Sequence, residues 1–174
     1  TGDIVELLDG SRIRMLGRCK EIIKLAQGEF VPIEDVESMY ELCPFVASIF
    51  VYGDPTREFL VGIVVPEREE VGKWWKAHNQ ELSGSGPTSG DEATVPSFEA
   101  LCAMPELKKA IFDALMAQHK ASGMTGINRL HGIYIEHIPF STDNGLLTPT
   151  NKLSREKVKK HYVDVIQRLY AESK

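Results

Sequence analysis

The sequence predicts an α+β domain with a central, mostly antiparallel sheet flanked by helices and preceded by a short β-hairpin. Three observations carry this expectation. Asp9-Gly10 separates two extended runs, a strong two-residue hairpin signal. Two stretches rich in β-branched and aromatic residues, Phe45 to Tyr52 and Phe59 to Val65, flank the turn residues Gly53-Asp54-Pro55-Thr56. Leu107, Ile111 and Leu115 recur every four residues, the spacing of one helical face. Strands and helices mix irregularly and no internal repeat is visible, which favours α+β architecture.

In chain order, Ile4 to Leu8 and Ser11 to Leu16 form the first hairpin, and Gly17-Arg18-Cys19-Lys20 follows it directly. Glu21 to Leu25 is a further extended run that ends in the turn Gln27-Gly28-Glu29. Pro32 suits the first position of a helix that places Ile33, Val36 and Tyr40 on one face and stops by Cys43, before Pro44. After the central hairpin, Glu67 to Asn79 reads as a helix burying Val71, Trp74 and Trp75. Ser83 to Pro96, dense in Gly, Ser, Thr and Pro, reads as a flexible insertion near residues 83–96. Ser97 to Ser122 has a helical pattern interrupted near Met104-Pro105 and capped by Gly123. Ile133 to Ile138 is a strand ended by Pro139, and a loop from Phe140 to Asn151 follows. One final amphipathic helix carries Val158, Tyr162, Val165, Ile166 and Leu169, with Ser154 as its N-cap.

Composition narrows the function classes. At 174 residues, with 43% hydrophobic and 26% charged, the chain reads as one soluble globular domain. Twenty Lys and Arg against 25 Asp and Glu lack the basic excess needed to hold a phosphate backbone, so a nucleic-acid partner is not expected. No apolar run approaches the roughly 20 residues of a membrane-spanning helix. Cys19, Cys43 and Cys102 are widely spaced without a C-x-x-C pair, and they read as reduced thiols of an intracellular, cytoplasmic or organelle-associated protein. The five histidines show no ligand spacing with them, so no metal site is expected from this chain. Thr1 falls within what reads as the first strand, so the chain is expected to be a fragment.

Several residues suit nucleotide chemistry, each with a bland alternative. Asp3 opens a strand, from which a carboxylate can accept hydrogen bonds from vicinal ribose hydroxyls, or it caps a turn. Arg18 presents a fork for phosphate or ribose oxygens, or makes a surface ion pair. Gly28 permits a left-handed backbone or close approach to a ligand, or simply makes a turn. Lys152 taken alone is a solvated lysine in a polar loop.

Their joint order is more specific. Thr1-Gly2-Asp3, then Gly17-Arg18-x-Lys20-x-x-x-Lys24-x-x-x-Gly28, then Pro32-x-Glu34-x-x-Glu37, then Leu147-Thr148-Pro149-Thr150-x-Lys152-x-x-Arg155 resembles the adenylate-forming, AMP-binding enzyme superfamily. The segment Lys24 to Val31 is similar to that of long-chain fatty acyl-CoA synthetases. This chain differs from the usual pattern at Gly17, where the hinge motif often begins with Asp, at Cys19, and at Asn151, where many members carry Gly.

The resemblance implies that residues 1–17 end an N-terminal adenylation domain, 18–20 form a hinge, and 21–174 make a C-terminal lid. It implies a ligase using ATP, with Mg²⁺ held mainly by the N-terminal domain, and coenzyme A as co-substrate. A long-chain fatty acid becomes acyl-AMP and then acyl-CoA. Asp3 and Arg18 would contact the nucleotide, Lys20 would be the hinge, and Lys24, Gly28 and Glu29 would line the channel for coenzyme A. Lys152 would be the catalytic lysine. The lid's partner is the N-terminal adenylation domain of the same chain, without which the lid is expected to be inactive; membrane association of the parent enzyme is left open. The alternatives are a ligase for another acid or acceptor, or a catalytically silent nucleotide-binding homologue.

The physical case for Lys152 stands beside the resemblance. A carboxylate attacking a phosphate brings two anions together, and a compact ammonium on a four-carbon stem can bridge both. By comparison with lost oxyanion donors, removing it should cost roughly 2.7–4 kcal/mol, about 10²–10³ in rate.

Overall fold

The computed structural model describes residues 3–8, 10, 12–18, 22–83 and 96–172. The expected hinge at Lys20 and all but the edges of the expected insertion at 83–96 lie outside the described residues. Strands β1 (Asp3–Leu8) and β2 (Arg12–Arg18) pair antiparallel as the Asp9-Gly10 signal predicts, with Gly10 at φ 70°. They form a sheet of their own.

β3 (Ile22–Lys24) pairs antiparallel with β4 (Phe30–Pro32), a short strand between the turn and the helix that the sequence does not announce. Only three residues long, β4 is too brief for its alternation to stand out. Helix α1 (Ile33–Glu41) begins one residue later than expected: Pro32 is still extended and serves as its N-cap. Ile33, Val36, Met39 and Tyr40 make its buried face.

The main sheet has the order β5 (Val46–Gly53), β6 (Leu60–Pro66), β7 (Leu130–Ile135). β5 and β6 form the expected hairpin, whose turn is tied by Asp54 Oδ1 accepting from the Thr56 amide at 2.8 Å and hydroxyl at 2.6 Å. β7 joins β6 in parallel, so the central sheet is mixed, with one antiparallel and one parallel ladder. The parallel strand follows a long helical crossover, α2 (Arg68–Ser83), α3 (Phe98–Cys102) and α4 (Pro105–Ser122), as parallel connections require. The interruption at Met104-Pro105 is real: Pro105 opens α4, and Gly123 ends it at φ 70°.

The last helix is two helices, α5 (Arg155–His161) and α6 (Val163–Glu172), broken at Tyr162. The 3.6-residue period runs through the break, so the apolar pattern gave no sign of it. Ser154 stands at the N-cap position but its side chain makes no capping bond. β7 starts at Leu130, before the expected Ile133, and ends at Ile135 rather than Ile138.

Every residue of β6 is buried, because helices cover both faces of the sheet. Leu60 and Val64 pack with α1 and α4, whose Leu107, Ile111 and Leu115 are fully buried. Val61, Ile63 and Val65 face the opposite way, toward Phe140, Leu146 and the α5 and α6 residues Val158, Ile166 and Leu169. A register shift between Leu60 and Val61 pairs them with Leu130 and Gly132. This extra residue in β7 lets Leu130 and Ile133 enter the same core layer. The Tyr40 hydroxyl accepts the Leu130 amide at 3.1 Å and ties α1 to the start of β7.

Candidate functional site

Lys152 sits on a small hairpin between β7 and α5. Leu147 and Leu153 form an antiparallel bridge, the Thr148 amide donates to the Lys152 carbonyl at 2.8 Å, and the Asn151 amide donates to the Thr148 carbonyl at 2.9 Å. The Thr148 hydroxyl accepts the Lys152 amide at 3.1 Å. Closing so tight a loop requires a left-handed residue, and Asn151 takes that role at φ 57°. Asparagine is among the few side chains that tolerate this region. The Lys152 side chain is exposed and makes no ion pair among the described residues.

Below the hairpin lies a platform of satisfied polar groups. Asn144 Oδ1 accepts the Ser141 and Leu146 amides at 3.0 and 3.2 Å, and its Nδ2 donates to the Pro139 carbonyl at 2.9 Å. Glu136 is buried past the end of β7, where it accepts the Tyr162 hydroxyl and the Ile138 amide, each at 3.0 Å. Burial, followed by the nearby Glu136 charge, raises the Tyr162 hydroxyl well above the usual phenol range.

Arg155, three residues past Lys152, opens α5 and reaches the carboxylate of Glu37 on α1. Glu37 is only 7% exposed, and its other oxygen accepts the Val51 amide of β5 at 2.8 Å. Burial pushes the Glu37 carboxyl up to about 7; Arg155 and the Val51 amide oppose that shift. The sequence motifs contained both residues, but spacing could not reveal that they meet.

Two clefts adjoin at Arg155. One, of about 610 Å³, runs between α1 and the hairpin and is lined by Glu34, Glu37, Glu41, Thr148, Lys152 and Arg155. The other, of about 530 Å³, is lined by Lys24, Phe50, Tyr52, Arg155 and Lys159 among others. Lys24 lies on β3 with its ammonium 5.5 Å from the centre of the Phe30 ring. Gly28, at φ 93°, and Glu29 lie in the exposed turn that follows, where the Leu25 amide donates to the Glu29 carbonyl at 2.9 Å. Neither of them lines the cleft beside Lys24.

Asp3 and Arg18 stand opposite each other at the open end of the first hairpin, paired in register. The described thiols, Cys43 and Cys102, are buried, and burial pushes Cys102 up to about 11, which suits packing rather than nucleophilic work. Among the described residues, no group of three or more His, Cys, Asp or Glu side chains could hold a metal ion. Nor is any helix there long and apolar enough to cross a membrane.

Residues 35–85 match the family described as the AMP-binding enzyme C-terminal domain. A probable CoA ligase of Humulus lupulus is 38% identical over 174 residues, covering 100% of this chain and 24% of that protein. Long chain acyl-CoA synthetase 2 of Arabidopsis thaliana is 36% identical over the same coverage. A fatty acyl-CoA synthetase of Dictyostelium discoideum is 39% identical over 177 residues. The chain thus spans about a quarter of the length of the curated relatives it matches. Among solved structures, the adenylation domain of a carboxylate reductase from Mycobacterium chelonae is similar, with TM-score 0.75 and 32% identity over 98% of this chain and 23% of that one. The corresponding domain from Segniliparus rugosus, in complex with AMP and a co-purified carboxylic acid, gives 0.74 and 30% over 99% of this chain and 23% of that one.

Proposed function

We propose that this chain, whose residues 35–85 match the AMP-binding enzyme C-terminal domain family, is the lid of an ATP-dependent long-chain fatty acid–CoA ligase. A long-chain acyl-CoA synthetase and a long-chain fatty acid–CoA ligase that align with 100% and 98% of its length support the acid class. The observation that carries the mechanism is Lys152, an exposed ammonium on the returning arm of a tightly bonded hairpin, next to the Leu147–Leu153 bridge.

In the first step a fatty carboxylate oxygen attacks the α-phosphorus of ATP; the new O–P bond forms as the bond to pyrophosphate breaks. Both reactants are anionic, and Lys152 neutralises charge on the carboxylate and the α-phosphate oxygens as they approach. In the second step the thiol of coenzyme A loses its proton and attacks the acyl carbon, and AMP leaves. The lid turns about Lys20 between steps, withdrawing Lys152 and bringing the β3–β4 turn with Lys24, Gly28 and Glu29 toward the thiol's channel. Asp3 and Arg18 hold the ribose and nucleotide oxygens. We assign the ligands of magnesium to the N-terminal adenylation domain. The lid alone is inactive on this reading.

A second reading has a specific observation in its favour. The carboxylate reductase adenylation domains share 30–32% identity at TM-scores of 0.73–0.75, and one was solved joined to a PCP domain. In that case the acceptor thiol belongs to a carrier domain. The parent protein, given ATP and a panel of fatty acids with either coenzyme A or a phosphopantetheinylated carrier domain, distinguishes them. Our proposal expects acyl-CoA from long-chain acids; transfer to the carrier alone, or activation only of short or aryl acids, contradicts it.

A further inference from the structure

We propose that Glu37 and Arg155 are positioning residues for Lys152, so that loss of their contact impairs acid activation more than thiol transfer. This rests on the reading of Lys152 given above.

The hairpin's hydrogen bonds run within it, Thr148 to Lys152, Asn151 to Thr148, and Ser154 to Leu146 at 2.9 Å, and back to the preceding loop, from the Leu147 amide to the Ser141 carbonyl at 2.9 Å. They fix its shape and join it to that loop, but none of them reaches α1 or β5. Placement falls to Leu147 and Leu153, which pack on the core beneath α5, and to Arg155. Glu37 is a fixed post, because its second oxygen is held by the Val51 amide in the middle of β5 and the carboxylate is buried. The Arg155 guanidinium also lies 5.8 Å from the Phe50 ring centre, which limits its sideways freedom. A planar fork between a buried carboxylate and an aromatic ring has little play. The chain leaves Lys152 and reaches this post three residues later, so movement at Arg155 passes directly into the hairpin.

β3, which carries Lys24, is held differently. It has its own ladder with β4, and Ile23 and Leu25 pack in the core shared with α1. Arg155 borders the cleft beside Lys24 but makes no bond to that strand among the described residues. Releasing Arg155 therefore displaces Lys152 and leaves β3 seated. A displacement of about 1 Å at a reacting group can lower a rate about 10²-fold.

The test uses the full-length parent protein with Arg155→Ala, Arg155→Lys, Glu37→Gln and Lys152→Ala. Activation is read by ATP–pyrophosphate exchange. Thiol transfer is read separately, by supplying pre-formed acyl adenylate and coenzyme A. For Arg155→Ala we expect kcat of activation to fall about 10²-fold, with KM values and the thiol-transfer rate within about threefold. Arg155→Lys, which keeps the charge and most of the packing, should recover part of the loss and settles the question if the alanine variant does not fold. Glu37→Gln keeps an acceptor for Val51 and should show a smaller loss in the same step. Parallel loss in both steps, tracking a lowered melting temperature, overturns the inference and makes the pair structural only. Undiminished activation in Arg155→Ala overturns it as well. If Lys152→Ala abolishes activation while the Arg155 variants show no selective loss, only the positioning inference fails. If Lys152→Ala activates its acid normally, the reading beneath it fails too.

Discussion

Arg155 meets Glu37 across 118 positions of sequence, joining the first residue of α5 to the buried face of α1. A charged pair in this setting is held by geometry rather than by Coulomb attraction alone, since burial penalises both charges. The Val51 amide and the Phe50 ring complete the arrangement.

That burial makes the chain's stability depend on pH. The folded Glu37 carboxyl titrates at about 7, above its ordinary 4.5, so the folded chain binds this proton more tightly than the unfolded chain does. The favourable contribution is fully present below 4.5 and is lost as pH rises through 7. Glu37→Gln should remove it, changing the slope of stability against pH within that window by up to about 1.4 kcal/mol per pH unit. Urea melts of the chain and the variant across the window check this; identical slopes would contradict it.

Asn151 predicts a second, steric test. Its φ of 57° explains why the residue before Lys152 is one that tolerates the left-handed region. Asn151→Gly should leave activation by the parent protein close to normal. Asn151→Val, β-branched and strained there by about 1–2 kcal/mol, should reopen the hairpin and slow activation. Pyrophosphate exchange reads both, and a valine variant as active as the glycine one would count against the strained-turn explanation.

Much of this was legible in the residues. Asp9-Gly10, Gly53 to Thr56, Met104-Pro105 and Gly123 each state a local backbone requirement, and the chain obeys all four. Local chemistry does not report what happens between distant segments. The parallel pairing of β7, the break at Tyr162 and the Glu37–Arg155 contact depend on how layers meet. Lys152 was visible as a motif position, while its seat on the Leu147–Leu153 bridge was not. The two members of the Lys24 motif that follow it, Gly28 and Glu29, stand in the turn beside its cleft rather than in the wall.

Two glycines give opposite expectations for one substitution. Gly28 sits at φ 93° with no atom within 4 Å of an added Cβ, so Gly28→Ala suffers backbone strain alone. It should destabilise the chain by about 1–2 kcal/mol. Gly72 lies inside α2, also with nothing within 4 Å. Gly72→Ala should stabilise it by about 0.8–1.0 kcal/mol. Thermal melts of the two variants settle the signs, and equal shifts would contradict the backbone argument.

The most direct measurement is single-turnover acyl-AMP formation by the full-length parent protein, with and without Lys152→Ala, followed by thiol transfer from supplied acyl-AMP. Activation should slow about 10²–10³-fold, with transfer to coenzyme A nearly unchanged. Activation at the unmodified rate in the alanine variant would contradict it.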